Sequence, residues 1–221
     1  DHLRRARGMP LTRGRRALLI LGGLLLGALL GCSGRSPRSL SPPDCGGCAE
    51  AILQHGECEE CARRWIAGRE VPSATLHEAL DAHGHEVDVE RIICLECAEM
   101  VEVDGFCRRC RMGWIGEQLY YSEFSWALHH GTVRSEEPLE CRGCRELRGE
   151  AGTCGRCGTG WVGVVAFDDR SAHRIAMREF RRLEEAIERS RSCYPCGATS
   201  FFGVLCPTCG SRPITPALGG R

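Results

Sequence analysis

The sequence predicts a string of small α+β repeats stapled by cysteine clusters, rather than one domain built on a single core. Three observations carry this. Cysteine accounts for 17 of 221 residues, and sixteen of the seventeen fall into four groups of identical spacing. The groups recur at a period near fifty residues, the signature of a repeat architecture. Each unit is too short for a large core, and bulky apolar side chains are sparse beyond the N-terminal segment, so the cysteines must supply cohesion that burial does not.

Charge excludes one class of partner. The chain is formally neutral, with 29 basic and 29 acidic residues. Six of the basic residues but only one acid precede residue 32, leaving 23 arginines against 28 acids in the remainder. A net acidic surface of this kind is a poor match for nucleic acid. All the basic residues are arginine, which reads as a compositional bias and carries no functional inference.

The N-terminal segment reads as an address. Arg13, Arg15 and Arg16 precede an apolar run over 17–30, which has the charged start and short hydrophobic stretch of a secretory signal and is short for a spanning helix. The run ends Leu29-Leu30-Gly31-Cys32, which resembles the lipobox of bacterial lipoproteins. The resemblance implies that 1–31 is a signal peptide, with Met9 as its translational start, and that Cys32 is lipidated and becomes the first mature residue. Leu30 departs from the small or polar residue commonest at its position, and an uncleaved anchor with an incidental cysteine is the alternative. Ser33 stands where an aspartate would favour inner-membrane retention, so the resemblance implies a lipid-anchored envelope protein, with the outer membrane favoured. Residues 32–44 are polar and proline-rich, a tether with no apolar period.

Four modules follow, at 45–92, 93–140, 141–192 and 193–221. In the first, Trp65-Ile66-Ala67-Gly68 reads as a short extended piece. Thr75 and Glu78 have the form of a capping box opening a helix, with Leu76, Ala79 and Leu80 on one face and Gly84 as its stop. The second repeats the plan with Trp114, a strand over 118–121, then Ser122 before a helix carrying Phe124 and Leu128 and ending near Gly131. In the third, 161–167 is strand-like, and Asp168 and Asp169 start the longest helix. Its residues Ala172, Ile175, Ala176, Phe180, Leu183 and Ile187 recur with helical period. The fourth has the cysteines but Pro213 at the tryptophan position, as suits the end of an array. The three helix faces and Trp65, Trp114 and Trp161 are expected to make a few-residue core within each module.

The cysteine groups carry the chemistry. Cys45/Cys48/Cys58/Cys61, Cys94/Cys97/Cys107/Cys110, Cys141/Cys144/Cys154/Cys157 and Cys193/Cys196/Cys206/Cys209 all follow C-x2-C-x9-C-x2-C. Two such pairs joined by a nine-residue hairpin place four sulfurs around one point, a shell that selects zinc, or iron in a rubredoxin-like form. Gly56, Gly105 and Gly152 lie two residues before the third cysteine, and Gly203 three before it, as if each entered a tight turn. Cys193-Tyr-Pro-Cys-Gly197 and Cys206-Pro-Thr-Cys-Gly210 resemble the knuckles of zinc ribbons. That resemblance implies four tandem zinc-ribbon-like modules, three of them followed by a short strand and a helix, holding about four zinc ions. Ala49, Ala62, Ala98 and Arg111 depart from it where glycine often follows a knuckle.

Export to an oxidising compartment argues for disulfides at the same cysteines. A bridge inside one C-x2-C turn closes so short a loop that it stabilises by only about 2 kcal/mol. Structural zinc in small modules is worth about 10–16 kcal/mol in apparent terms, which favours the metal. Longer bridges between knuckles stay open as an alternative. His83, His85, His129 and His130 lie near helix ends, where they read as solvated residues interacting with the helix dipole rather than as a second ligand set. No nucleophile constellation or phosphate loop is present, so no enzymatic activity and no small-molecule substrate is expected. The expectation is a membrane-anchored interaction or scaffold protein whose partner is another envelope protein. Metal handling or thiol redox at the envelope is the alternative.

Overall fold

The computed structural model describes residues 45–134 and 139–211; the signal peptide and tether expected over 1–44, with Cys32, and Pro213 lie outside them. Module 1 contains helix α1 (Cys48–Gln54), the two-residue strands β1 (Trp65–Ile66) and β2 (Arg69–Glu70), helix α2 (Ala74–Leu80) and strand β3 (His85–Glu86). Module 2 contains α3 (Leu95–Glu102), β4 (Phe106–Cys107), β5 (Met112–Ile115), β6 (Gln118–Tyr120), α4 (Glu123–His129) and β7 (Thr132–Val133). Module 3 contains α5 (Arg142–Leu147), β8 (Ala151–Thr153), β9 (Gly160–Val162), β10 (Val165–Phe167) and the 23-residue α6 (Arg170–Ser192). Module 4 contributes α7 (Cys196–Phe201).

Each module opens with a helix between its two cysteine pairs, where the sequence reading placed a hairpin. The first pair has the i, i+3 spacing that puts two side chains on one helical face. Cys94 and Cys141 are the N-caps of α3 and α5, with Cys97 and Cys144 in the first turn. The glycines are also placed differently from expectation. The left-handed residue closing the first helix is His55 (φ 57) in module 1, Asp104 (φ 51) in module 2 and Gly203 (φ 77) in module 4. Gly56 and Gly105 instead begin the strand pairing, their carbonyls accepting from Trp65 and Trp114 at 2.9 and 2.8 Å.

The second cysteine pair leads into an antiparallel hairpin that carries the tryptophan, then into a capped helix. The caps are Ser73, Ser122 and Asp169, each accepting backbone N–H groups from the first turn. Ser73, two residues before the expected Thr75, caps α2, because its side chain reaches the Leu76 amide at 3.2 Å. The sheets interlock the modules. β3 follows the module 1 helix yet pairs with β6, giving the order β3-β6-β5-β4, and β7 follows the module 2 helix yet pairs with β10, giving β7-β10-β9-β8.

Packing departs most from the sequence reading. The helix faces do not each close a private core. Leu76 and Leu80, Phe124 and Leu128, Phe180 and Leu183, and Ala198 and Phe201 join one buried cluster drawn from all four modules. α6 is the axis of that cluster, burying Ala172, Ala176, Phe180, Leu183 and Ile187 along one side. The described residues belong to one compact unit. Polar contacts cross the same boundaries. Arg69 of module 1 reaches Glu184 of α6 at 3.0 Å and lies over the Phe180 ring, Arg178 pairs with Glu123 at 2.8 Å, and the Tyr194 hydroxyl accepts from the Ala74 amide at 2.7 Å. Among the described residues no helix is long and apolar enough to cross a membrane.

Candidate metal centres

All sixteen cysteines of the repeat pattern converge as the spacing predicts, four to a site, with the sulfurs of each site within 4.8 Å of one another. The shorter contacts run between pairs: Cys45 to Cys58 is 3.6 Å and Cys48 to Cys61 is 3.3 Å in the first site. The third site repeats this at 3.7 and 3.3 Å, the fourth at 3.7 and 3.2 Å, and in the second Cys94 lies 4.0 Å from Cys107. A tetrahedral ion with metal–sulfur bonds of about 2.3 Å sets its sulfurs about 3.8 Å apart, so the residues fit such an ion without rearrangement. The described cysteines are free thiols, and their separations are far beyond the ~2.05 Å of a disulfide.

The two halves of each site are built differently. The first pair sits on the opening turn of a helix, and the second forms a tight turn in which the third cysteine's amide donates to the carbonyl five residues on. Cys58 donates to Arg63, Cys154 to Thr159 and Cys206 to Ser211, at 2.8, 2.8 and 3.1 Å. The second and third cysteines of every site are buried, whereas the fourth is exposed in sites 1, 3 and 4.

Electrostatics within a site separate the sulfurs. Desolvation pushes the Cys48 and Cys144 thiols up to about 11 and about 12. Cys45 is raised above the ordinary thiol range, chiefly by the Glu60 carboxylate 3.1 Å away, and Cys97 by desolvation. In each site at least one partner moves the other way, and in the third and fourth sites two do, Cys154 with Cys157 and Cys206 with Cys209. The Thr159 hydroxyl and backbone draw Cys157 down to about 6, and Ser211 does the same for Cys209. At Cys94 the Cys97 amide leads a shift to about 7. At Cys58 desolvation opposes the shift, but the Cys61 and Glu60 amides overcome it, to about 7. Each site thus has a sulfur that ionises near neutrality, the state in which a cysteine binds metal.

His83, His85 and His129 are engaged elsewhere, and the His130 ring stacks edge-on against Trp126 at 4.6 Å. His85 meets Asp81 at 2.7 Å, His83 meets the same carboxylate at 3.4 Å, and the His129 ring donates to the Ala82 carbonyl at 2.7 Å. Among the described residues, the four cysteine groups are where three or more such ligands converge. Sequence reasoning missed the role of the residue four past each helix cap. His77, Trp126 and His173 hold equivalent places, and the rings of Trp126 and His173 lie against Gly113 and Gly160, just before the repeat tryptophans. A glycine before two of the three repeat tryptophans was the available signal. Compared with known proteins, the chain matches no family model, no curated protein and no solved structure.

Proposed function

We propose that this chain is a lipid-anchored protein of the bacterial envelope whose four four-cysteine sites hold structural zinc, and that it works by binding another envelope protein. The observation that carries the metal reading is the fourfold convergence of sulfurs at tetrahedral spacing. A closed four-sulfur shell leaves no coordination position for water or substrate, which supports a structural rather than catalytic role. Anchoring through Cys32 rests on the lipobox resemblance, and the net acidic remainder of the chain supports a protein rather than a nucleic-acid partner. Ile93 and Leu95, 98% and 82% exposed, flank Cys94, and Val204 and Leu205 precede Cys206, offering apolar contact points beside two of the sites.

One feature favours a second reading. The exposed Cys61, Cys157 and Cys209 give solvent access to three of the four sites, as metal handling or thiol redox would need. Zinc content and denatured free-thiol count of the purified full chain separate the two. About four tightly held zinc ions with sixteen thiols in the repeats support the structural reading. Sub-stoichiometric metal lost to a weak chelator supports handling, and zero metal with no free thiols overturns the metal reading. Metabolic labelling with a fatty acid tests the anchor, with label expected on the wild type and lost in Cys32→Ala.

A further inference from the structure

Trp65, Trp114 and Trp161 are only 7%, 2% and 1% exposed, and their indole nitrogens are buried with no hydrogen-bond partner. A buried donor without a partner is rare, and a buried tryptophan N–H ordinarily finds one. Here the same orphan recurs at the same position in three modules. Each indole packs in a small cluster with the second and third cysteines of its own site: Trp65 with Cys48 and Cys58, Trp114 with Cys97 and Cys107, Trp161 with Cys144 and Cys154. The remaining tryptophan behaves differently. Trp126 donates to the carbonyls of Asp104 and Trp114 at 3.1 and 3.2 Å.

We propose that each repeat tryptophan donates its indole N–H to a buried metal-bound thiolate of its own site, Cys48 or Cys58, Cys97 or Cys107, Cys144 or Cys154, and so slows loss of the metal. The proposal rests on the four-thiolate reading above. Its chemistry follows from charge. Four thiolates around a divalent ion carry excess negative charge, and a donor aimed at one sulfur stabilises the thiolate over the thiol. The tryptophans are positioning residues, not ligands.

The test uses the full chain loaded with cadmium-113 and labelled at the indole nitrogen. A correlation between cadmium and the indole proton is expected for Trp65, Trp114 and Trp161 through the sulfur, and not for Trp126, the internal control. Trp114→Phe keeps the aromatic packing and removes the donor. Zinc loss from site 2 to a competing chelator, followed by module-resolved alkylation of the cysteines, is expected to rise about ten- to a hundredfold, with sites 1 and 3 unchanged. Four bound cadmium ions with no indole correlation overturn the proposal and leave the metal sites standing, as does unchanged release from Trp114→Phe. If Trp114→Phe does not fold, the correlation in the wild-type chain decides. A chain that binds no metal overturns both readings together.

Discussion

The residue after the fourth cysteine is left-handed in every module: Ala62 at φ 56, Arg111 at φ 58, Gly158 at φ 82 and Gly210 at φ 68. The tight second turn needs that conformation, which costs an L-residue about 1–2 kcal/mol and glycine almost nothing. The two places where the sequence departs from glycine here are therefore strained. The departures at Ala49 and Ala98 are not, because those residues sit in helices α1 and α3. After allowing for glycine's greater freedom when unfolded, Ala62→Gly and Arg111→Gly are each expected to stabilise the metal-loaded chain by about 0.5–1 kcal/mol, and Gly158→Ala to destabilise it similarly, in denaturant titrations. The sixteen ligands were legible because spacing alone identifies them, whereas the strain was not, because backbone handedness leaves no mark on composition. Histidine protonation gives a second residue-scale prediction. Burial holds His55 down to about 4, aided by the charges of His129 and His83, while its Nδ1 accepts the Ala67 amide at 3.1 Å. His77 and His129 are lowered by the same cause. The unfolded chain takes up these protons near the ordinary histidine value of 6.5, before the folded chain does. Stability therefore falls as pH drops from about 6.5 toward 4, with His55 contributing up to about 3 kcal/mol of the loss. His55→Asn, which tolerates the left-handed backbone and carries no titrating ring, is expected to flatten that slope in unfolding measured across the window; an unchanged slope would refute the assignment.

The elements show which signals a sequence carries well. The strand at 118–121 and the helices after Ser122 and Asp169 follow from apolar period and cap chemistry, and the structure has them, whereas 65–68 and 161–167, read as single extended pieces, each contain a hairpin turn, at Ala67-Gly68 and Gly163-Val164. The helices between the cysteine pairs were legible in part. Residues 49–53 of module 1 read Ala-Glu-Ala-Ile-Leu, strong helix formers, but the knuckle pattern argued for a hairpin and local propensity won. The docking of turn on turn was not legible. The β9–β10 turn carries Gly163 at φ 58, and the β1–β2 turn carries Ala67 at φ 48. A Cβ at Gly163 would lie 1.6 Å from the Ala67 carbonyl oxygen, a backbone atom that no rotamer change can move. Gly163→Ala is expected to separate the two turns and destabilise by several kcal/mol, at the upper end for single substitutions. Gly116→Ala provides the comparison. It occupies the equivalent turn at φ 57 with open space around its Cβ, so like Gly158→Ala it pays only the net left-handed cost, about 0.5–1 kcal/mol. Equal losses in the two variants would show that the turn contact contributes nothing.

At the scale of the whole molecule, the amphipathic face of α6 announced that something must cover it, but periodicity cannot say which partner does. The structure supplies that partner from every module: α6 packs on α4, α7 and β9, and its buried side chains share one cluster with Leu76 and Leu80 of α2. The separate few-residue cores expected from module size become three small clusters around the tryptophans and their cysteines, set about a common core. This changes how the chain must come apart. Independent beads would unfold one by one, each with its own metal, whereas a shared core ties the four together into one cooperative transition. Phe180 is 1% exposed at the centre of that core and supports the Arg69 guanidinium. Phe180→Ala is expected to cost about 3–5 kcal/mol through the cavity it leaves. The deciding readout is distribution rather than size. With zinc saturating, cysteine alkylation during denaturant unfolding should gain rate in all four modules together in Phe180→Ala. Faster labelling confined to Cys141, Cys144, Cys154 and Cys157 would mean that α6 serves only its own module, and that the common core does not couple the metal centres.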